Sequence, residues 1–261
     1  MIRRIAMIVS TAALVGCIQA RPAAYTGQTP PLPAVRALLG YSVEGRPIES
    51  FTFGHGPAPV LVLGGFHGNE QASVYVAEEL VSMLNGSPTL LAGRCVVVVP
   101  NVNPDGYVRD TRKNVRGVDL NRNFPTGNWV PSDPRDGSHG GPASLSEPES
   151  QIVLDLVRHL EPGLIISIHS ISRNRQCNNF DGPGEAVAAL MATHNGYPVK
   201  PSIGYPTPGS FGTWAGRELG IPTITLELPR PAPAEECWAT NREALVAAIQ
   251  HEPAQSVALG K

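Results

Sequence analysis

Cysteine is scarce in this chain of 261 residues, which has only four, and no two of them stand in C-x-x-C spacing. Because cysteine zinc sites are built from such closely spaced pairs, a site of that kind is not expected. An excess of positive charge is also missing: 20 lysines and arginines face 22 aspartates and glutamates, and basic tracts are short. This balance argues against a protein that binds nucleic acid or another polyanion.

Two common hydrolase motifs are missing as well. The G-x-S-x-G turn that presents the nucleophile of many serine hydrolases does not occur. The nearest approach to the H-E-x-x-H motif of zinc proteases is "HEPAQ" at 251–255, which lacks the second histidine. Neither of these two classes of hydrolase is therefore expected.

The apolar run at the N-terminus is too short to span a bilayer as a mature helix, and it follows two arginines. Residues 1–20 are therefore predicted to be a bacterial secretory signal. Two versions stay open: "LVGC" at 14–17 resembles a lipoprotein signal that would leave Cys17 lipidated and anchored to the membrane, whereas ordinary cleavage would follow Ala20. Both versions predict export, either to the periplasm or as a membrane-anchored lipoprotein.

Three cysteines remain beyond the predicted signal. Cys95 lies in the apolar run "RCVVVVP" and is interpreted as a core thiol. Cys177 and Cys237 are placed in predicted loops, where an oxidising compartment would allow them to pair. The sequence leaves open whether they are joined or remain free thiols.

Regular patterning begins after a linker rich in proline and alanine, residues 21–35, and ends before a flexible tail, 253–261. The intervening region, 36–252, is predicted to be a single domain. Apolar strands alternate with helices, which predicts an α/β fold: a mixed, mostly parallel central sheet with helices on both faces. The predicted strands are 47–54, 59–65, 94–100, 163–170 and 222–229; the predicted helices are 70–84, 147–160, 184–195, 210–219 and 240–250, with loops over 101–145. A capping box of Ser146 and Glu149 is expected to start the second helix.

Polar residues of metal-binding type stand at the ends of the predicted strands. His67 and Glu70 follow one strand at a spacing that shares one face of a helical turn, and His169 ends another strand. Imidazole nitrogen and carboxylate oxygen are ordinary zinc ligands, and ligands meet at the carboxyl edge of a parallel sheet. Each histidine alone is as well explained by core packing; together they predict a metal site.

A carboxylate inside an apolar strand is a second unusual feature. Glu227 lies in "TITLELP", where an unpaired buried carboxylate is costly. Either a cation pairs with it or it faces a polar cavity. A glutamate beside a metal site can take a proton from water and pass it to a leaving group.

With these residues in place, the chain resembles the zinc carboxypeptidases, or funnelins. The matching segments are "GYSVEGRPI" (40–48), "HGNE" (67–70), "NPDGY" (103–107), "RGVDLNRNFP" (116–125), "SEPE" (146–149), "SIHS" (167–170), "YPTPGSFGTW" (205–214) and "ITLELP" (224–229). Their order and spacing agree with the family from Gly40 to Pro229. The resemblance implies a zinc-dependent hydrolase that cleaves a C-terminal peptide bond, with one zinc ion per chain.

The resemblance also implies roles for individual residues. The zinc ligands would be His67, Glu70 and His169, and Asp119 would orient a ligating imidazole. Catalysis and substrate binding would fall to the general base Glu227, the oxyanion donor Arg112, the carboxylate-binding Asn121 and Arg122, the mobile Tyr205, and Gly212 in the side-chain pocket.

The expected substrate class is narrower than the family. The 205–214 segment is similar to that of members which cut between γ-D-glutamate and meso-diaminopimelate in bacterial cell-wall (murein) peptides, and export would bring the enzyme to such peptides. One alternative is an N-acyl amino acid deacylase of the aspartoacylase or succinylglutamate desuccinylase type, which shares the "HGNE" pattern. Another is an inactive wall-binding lipoprotein that keeps the fold for recognition.

Overall fold

The strands form where the apolar runs were predicted, and additional strands extend the sheet. The computed structural model describes residues 34–251. The predicted signal at 1–20 and tail at 253–261 lie outside the described residues, as does the linker apart from its last two residues. In chain order the strands are β1 (Val35–Tyr41), β2 (Pro47–Phe53), β3 (Val60–Leu63), β4 (Val96–Val99), β5 (Leu164–Ser172), β6 (Cys177–Asp181), β7 (Val199–Lys200) and β8 (Thr223–Arg230).

These strands form one mixed sheet in the order β1-β2-β4-β3-β5-β8-β6-β7. The four central strands, β4, β3, β5 and β8, run parallel to one another. Antiparallel pairs join β2 to β4 and β6 to β8, while β7 adds parallel to β6. The carboxyl ends of the parallel strands therefore meet at one edge, which is where ligands bind in such sheets.

Helices cover both faces of the sheet because each central strand buries both of its faces. The α-helices are α1 (Gln71–Gly86), α2 (Pro104–Val108), α3 (Pro148–Leu160), α4 (Glu185–Asn195) and α5 (Ala234–Gln250). On β3, Val60 and Val62 pack toward α1, α4 and α5, whereas Leu61 and Leu63 pack toward α3. This period of two gives the fold two hydrophobic layers and confirms the α/β prediction.

Several local predictions were wrong. The α3 helix has no capping box: it begins at Pro148 after Glu147, and the Ser146 hydroxyl donates to the Glu147 carboxylate instead. The last helix begins at Ala234, six residues before its predicted start. The predicted 210–219 helix is present, but over Thr213–Glu218 it is a π-helix and not an α-helix.

The two cysteines that were placed in loops lie in regular structure. Cys177 begins β6 and Cys237 belongs to the first turns of α5. Both side chains are buried, and both are free thiols. Their loop placement was therefore wrong, and the structure has no disulfide between them.

None of the helices within residues 34–251 has both the length and the hydrophobicity of a membrane-spanning segment.

Candidate metal centre and active-site cleft

Backbone contacts between two short motifs shape the turn that carries His67 and Glu70. The turn joins β3 to α1, and Glu70 is the residue just before the helix. Gly68 packs so closely on Gly106 that a β-carbon at Gly68 would stand 1.9 Å from the Gly106 carbonyl carbon. Only glycine fits there, which ties "HGNE" to "NPDGY" and fixes the direction of the His67 and Glu70 side chains.

His169 brings a third donor to the same place from the carboxyl half of β5. Its Nδ1 lies 3.2 Å from Nδ1 of His67 and 3.2 Å from Oε2 of Glu70. One ligand atom from each of the three residues lies within 4.8 Å of the others, and all three residues are buried. Within residues 34–251 no other group of histidine, cysteine or acidic side chains meets this condition.

Hydrogen bonding directs the electron pair of the His67 ring toward the other two predicted ligands. Nε2 of His67 lies 3.0 Å from Oδ1 of Asp119, and because a carboxylate only accepts, Nε2 carries the proton. Nε2 of His169 lies 3.0 Å from the Ser167 hydroxyl oxygen. Nδ1 of His67 is therefore unprotonated, and it lies 2.8 Å from Oε1 of Glu70, a contact between two electron pairs that is repulsive without a cation.

The donor set therefore fits a zinc ion. Atoms bound tetrahedrally at about 2.0–2.2 Å from zinc lie about 3.2–3.6 Å apart, which agrees with the Nδ1 separation of 3.2 Å. Zinc-binding histidines commonly donate their other ring N–H to a carboxylate, as His67 does to Asp119.

Asp119 joins the metal centre to Arg112. Its Oδ2 accepts hydrogen bonds from Nε and Nη2 of Arg112 at 3.0 and 2.9 Å. Burial opposes ionisation of Asp119, but His67 and Arg112 outweigh it and hold the pKa of this carboxyl well below its usual range. Nη1 of Arg112, 3.4 Å from Oε1 of Glu70, points toward the three predicted ligands.

Replacing Asp119 by Asn is expected to weaken zinc binding by about 10–100-fold, because the amide no longer supplies a charged acceptor to the His67 ring. Zinc affinity is measured by competition with a chelator of known strength. Asp155→Asn on the exposed face of α3 is the matched control and should leave the affinity unchanged. An unchanged affinity in a folded Asp119→Asn protein would contradict this role.

Glu227 stands beside the metal centre on the neighbouring strand. It is directly opposite His169 in the parallel register of β5 and β8. Burial, reinforced by the Glu70 carboxylate, raises the pKa of Glu227 to about 8, while His67 and the nearby arginines oppose the shift. A carboxyl group with a raised pKa next to a candidate metal site has the properties of a group that exchanges protons during a reaction.

The cleft in front of the metal centre has a volume of about 610 Å³ and contains the remaining predicted residues. Asn121 is held by its Oδ1, which accepts from the Phe211 backbone N–H at 2.9 Å. Arg122 is buried, and its Nη1 donates to the Asn121 carbonyl oxygen at 2.5 Å. Burial, together with the charge of Arg112, lowers the pKa of the Arg122 guanidinium. The guanidinium groups of Arg112 and Arg122 therefore face the same cleft.

Tyr205 and Gly212 line more distant parts of the same cleft. Tyr205 is 46% exposed at the rim, with the Arg175 guanidinium 5.8 Å from its ring centroid. Gly212 stands where the π-helix begins, and a β-carbon there would lie 2.4 Å from Oδ2 of Asp181. The structure thus brings all ten sequence-predicted site residues to the metal centre and its cleft.

Sequence reasoning missed three polar residues at this site. Ser167 precedes His169 by two residues on β5, so strand alternation could have placed its hydroxyl on the same face. Asp181 and Arg217 line the cleft and form an ion pair, with Nε of Arg217 2.6 Å from Oδ1 of Asp181. Thirty-six residues separate the members of this pair, and neither lies in a motif.

Comparison with known proteins decides the family. The family model described as zinc carboxypeptidase matches residues 33–176. The chain belongs to the zinc carboxypeptidase family. It is 32% identical to murein peptide amidase A of Vibrio campbellii over 234 residues, covering 82% of this chain and 87% of that protein. The Escherichia coli K12 murein peptide amidase A is 33% identical over 230 residues, covering 80% and 86%.

A solved structure agrees with these relatives. The murein-tripeptide amidase of Escherichia coli O157 superposes with a TM-score of 0.65 at 29% identity, covering 90% of this chain and 98% of that one. Membership of the zinc carboxypeptidase family makes this chain a hydrolase. Its cofactor is zinc, which the His67, Glu70 and His169 side chains are arranged to hold.

Proposed function

We propose that this protein is an exported zinc amidase that cleaves the bond between γ-D-glutamate and a C-terminal meso-diaminopimelate in murein peptides. The observation that carries the proposal is one cleft that combines a three-ligand metal centre, the buried Glu227 and the guanidinium groups of Arg112 and Arg122. The similarity of this chain to murein peptide amidases, which extends over about four fifths of its length, supports this substrate class.

The reaction needs an activated water and a proton carrier. When bound by His67, Glu70 and His169, zinc supplies a Lewis acid that polarises the scissile carbonyl and lowers the pKa of water toward about 7. Glu227, next to His169 across the sheet, accepts the water proton on its carboxylate oxygen. The remaining hydroxyl adds to the scissile carbonyl carbon, and the same carboxyl then donates its proton to the amine nitrogen as the C–N bond breaks.

Arg112 and Arg122 would have separate roles, one at the reacting carbonyl and the other at the C-terminal end of the substrate. Arg122 and Asn121 hold the terminal carboxylate, since a guanidinium fork matches a carboxylate in two parallel hydrogen bonds. Nη1 of Arg112 points into the metal centre, where it stabilises the negative charge that develops on the carbonyl oxygen. Asp119 orients both His67 and Arg112.

Tyr205 has the position of a cover for bound substrate. It lies at the rim of the cleft, in a loop with glycine and proline on either side. Its exposure and its single cation–π contact with Arg175 leave the ring free to move inward. Closure of Tyr205 over the substrate would remove water from the reacting bond.

Export completes the proposal. The N-terminal segment 1–20 has the charge and apolar pattern of a secretory signal, and Cys17 has the position of a lipoprotein cysteine. The protein would then act in the periplasm or from a lipid anchor, where cell-wall peptides are present.

Hydrolysis of defined substrates tests the proposed function. The zinc-loaded protein should release meso-diaminopimelate from L-Ala-γ-D-Glu-meso-diaminopimelate and leave N-acetylaspartate and N-succinylglutamate intact. The released amino acid is measured by liquid chromatography with mass detection. Cleavage of the N-acyl amino acids without cleavage of the tripeptide would identify a deacylase, and cleavage of neither class would contradict the proposal.

A further inference from the structure

A carboxylate stands in the cleft at a distance from the metal centre. Asp181 is the last residue of β6, which runs antiparallel to β8. Cys177, at the other end of β6, lies opposite Glu227, and Asp181 lies opposite Thr223. Asp181 is four residues further along β6 than Cys177, which lies opposite Glu227. At the usual rise per residue, this places Asp181 roughly 13 Å from Glu227 along the strand direction. The Asp181 side chain is only 10% exposed, yet it lines the cleft.

Two glycines of the π-helix segment give this carboxylate its room. A β-carbon at Gly212 would stand 2.4 Å from Oδ2 of Asp181, and one at Gly216 would stand 2.5 Å from the Asp181 β-carbon. The helix therefore packs directly on the end of β6. Gly212 supplies no charge to the pocket itself, but its missing side chain lets the Asp181 carboxylate occupy that part of the pocket.

Arg217 adds a positive charge beside Asp181. Its Nε donates to Oδ1 of Asp181 at 2.6 Å, and its Nη2 donates to the Pro201 carbonyl oxygen at 3.3 Å. The Arg217 side chain is 58% exposed and lines the same cleft. Within residues 34–251 no hydrogen bond reaches Oδ2 of Asp181. The pair therefore offers a negative acceptor and positive donors next to each other.

Such a pair matches a ligand that carries both charges on one carbon. An ammonium group would bind Oδ2 of Asp181, and the neighbouring carboxylate would bind the guanidinium of Arg217. A lysine side chain would use only the Asp181 half, and a side chain ending in a carboxylate would use only the Arg217 half. With a lysine side chain the Arg217 guanidinium would lose water without gaining a partner, and with a carboxylate side chain the same would hold for the Asp181 carboxylate.

We propose that Asp181 and Arg217 form a receptor for the amino-acid end of the substrate side chain, so that this pocket selects a diamino dicarboxylic acid as the released residue. This inference rests on the proposed function, because it assigns the far end of a diaminopimelate side chain to a pair of residues. The metal centre and Arg122 act on the other end of the same amino acid.

Three tripeptides that differ only in the last residue test the receptor. All begin with L-Ala-γ-D-Glu and end in meso-diaminopimelate, in L-lysine, which lacks the distal carboxylate, or in L-2-aminopimelate, which lacks the distal ammonium. For each peptide kcat/KM is measured with the zinc-loaded, full-length protein. The wild type is expected to prefer the diaminopimelate peptide by about 10–100-fold over each of the other two.

Two variants should change this preference in opposite ways. Asp181→Asn should lower kcat/KM for the diaminopimelate and lysine peptides by about 10–100-fold and leave the aminopimelate peptide nearly unchanged. Arg217→Met should lower kcat/KM for the diaminopimelate and aminopimelate peptides by a similar factor. For the lysine peptide kcat/KM should stay the same or rise, because Asp181 loses its competing partner. A purely structural ion pair would lower all three values together.

Controls separate the receptor from folding and from the proposed function. Asp155→Asn on α3 and Arg242→Met on α5 are matched substitutions away from the cleft and should keep the wild-type ratios. Zinc content and the melting temperature show whether each variant is folded; Arg217 is exposed enough for its variant to fold even if Asp181→Asn does not.

The outcomes distinguish the two proposals. If the wild type cleaves the diaminopimelate peptide but the three ratios stay the same in both variants, the receptor is wrong and the function stands. If the wild type cleaves the lysine peptide as well as the diaminopimelate peptide, the receptor is also wrong. If it cleaves none of the three peptides, the proposed function fails and the receptor fails with it.

Discussion

Glu227→Gln is expected to lower kcat by about 10²–10⁴-fold while zinc stays bound. The amide has nearly the shape of the carboxylate but cannot accept a proton from water or return one to the leaving amine. Glu227 is not among the three side chains that would hold the metal, although it lies opposite His169 in the sheet. Steady-state kinetics on the murein tripeptide, together with zinc analysis of the same preparation, measures both quantities.

The exposed Glu243→Gln on α5 is the matched control and should keep wild-type kcat. If Glu227→Gln retains more than about a tenth of the activity, the general base lies elsewhere. If it loses zinc together with activity, Glu227 supports the metal centre and its role as a proton carrier is unproven.

His169→Ala is expected to reduce the zinc content from about one ion per chain to near zero after dialysis, and activity should fall with it. The variant removes one of three ligands and leaves His67 and Glu70, which come from a single turn. Two protein ligands do not complete the three-ligand set of a catalytic zinc site. Metal content is measured by atomic emission on protein of known concentration.

The control for this experiment is His194→Ala, an exposed histidine near the end of α4. It should keep about one zinc ion per chain. Retention of nearly stoichiometric zinc by His169→Ala would show that the three donors do not bind a common ion. Comparison with Glu227→Gln then separates loss of the metal from loss of proton transfer.

The central part of the fold was predictable because its strands are continuous apolar runs. The segments "VLVL" and "VVVV" have no polar residue and became β3 and β4, buried on both faces. By contrast, β6 has the sequence "CNNFD", and its asparagines are satisfied by side chains and carbonyls from distant segments, such as Asn195 and Lys200. Those partners cannot be read from the local sequence.

The edge strand β1 was missed for a different physical reason. Its first four residues, Val35 to Leu38, are all exposed, so the strand lacks the alternation of a half-buried strand. The failed capping box has a tertiary cause as well. Glu149 does not turn back to the helix start but accepts from the Val43 backbone N–H at 3.1 Å, across 106 residues.

The candidate site was predictable where chemistry and fold geometry coincide. His67, His169 and Glu227 are polar residues in or after apolar strands, and parallel strands bring their carboxyl ends together. Asp181 and Arg217 lack that signal, because one ends a polar strand and the other lies on a π-helix. Their pairing depends on the close packing of Gly216 against Asp181, which only the folded chain reveals.

The long separation between His67 and His169, 102 positions along the chain, couples metal supply to folding. A bound ion would link His67 in the first half of the domain to His169 in the second half. In the unfolded chain these donors are not held together. Raising the free zinc concentration above the dissociation constant would therefore increase the free energy of unfolding, because zinc binds the native state and not the unfolded chain. A protein made where zinc is limiting would be easier to unfold and to degrade as well as inactive.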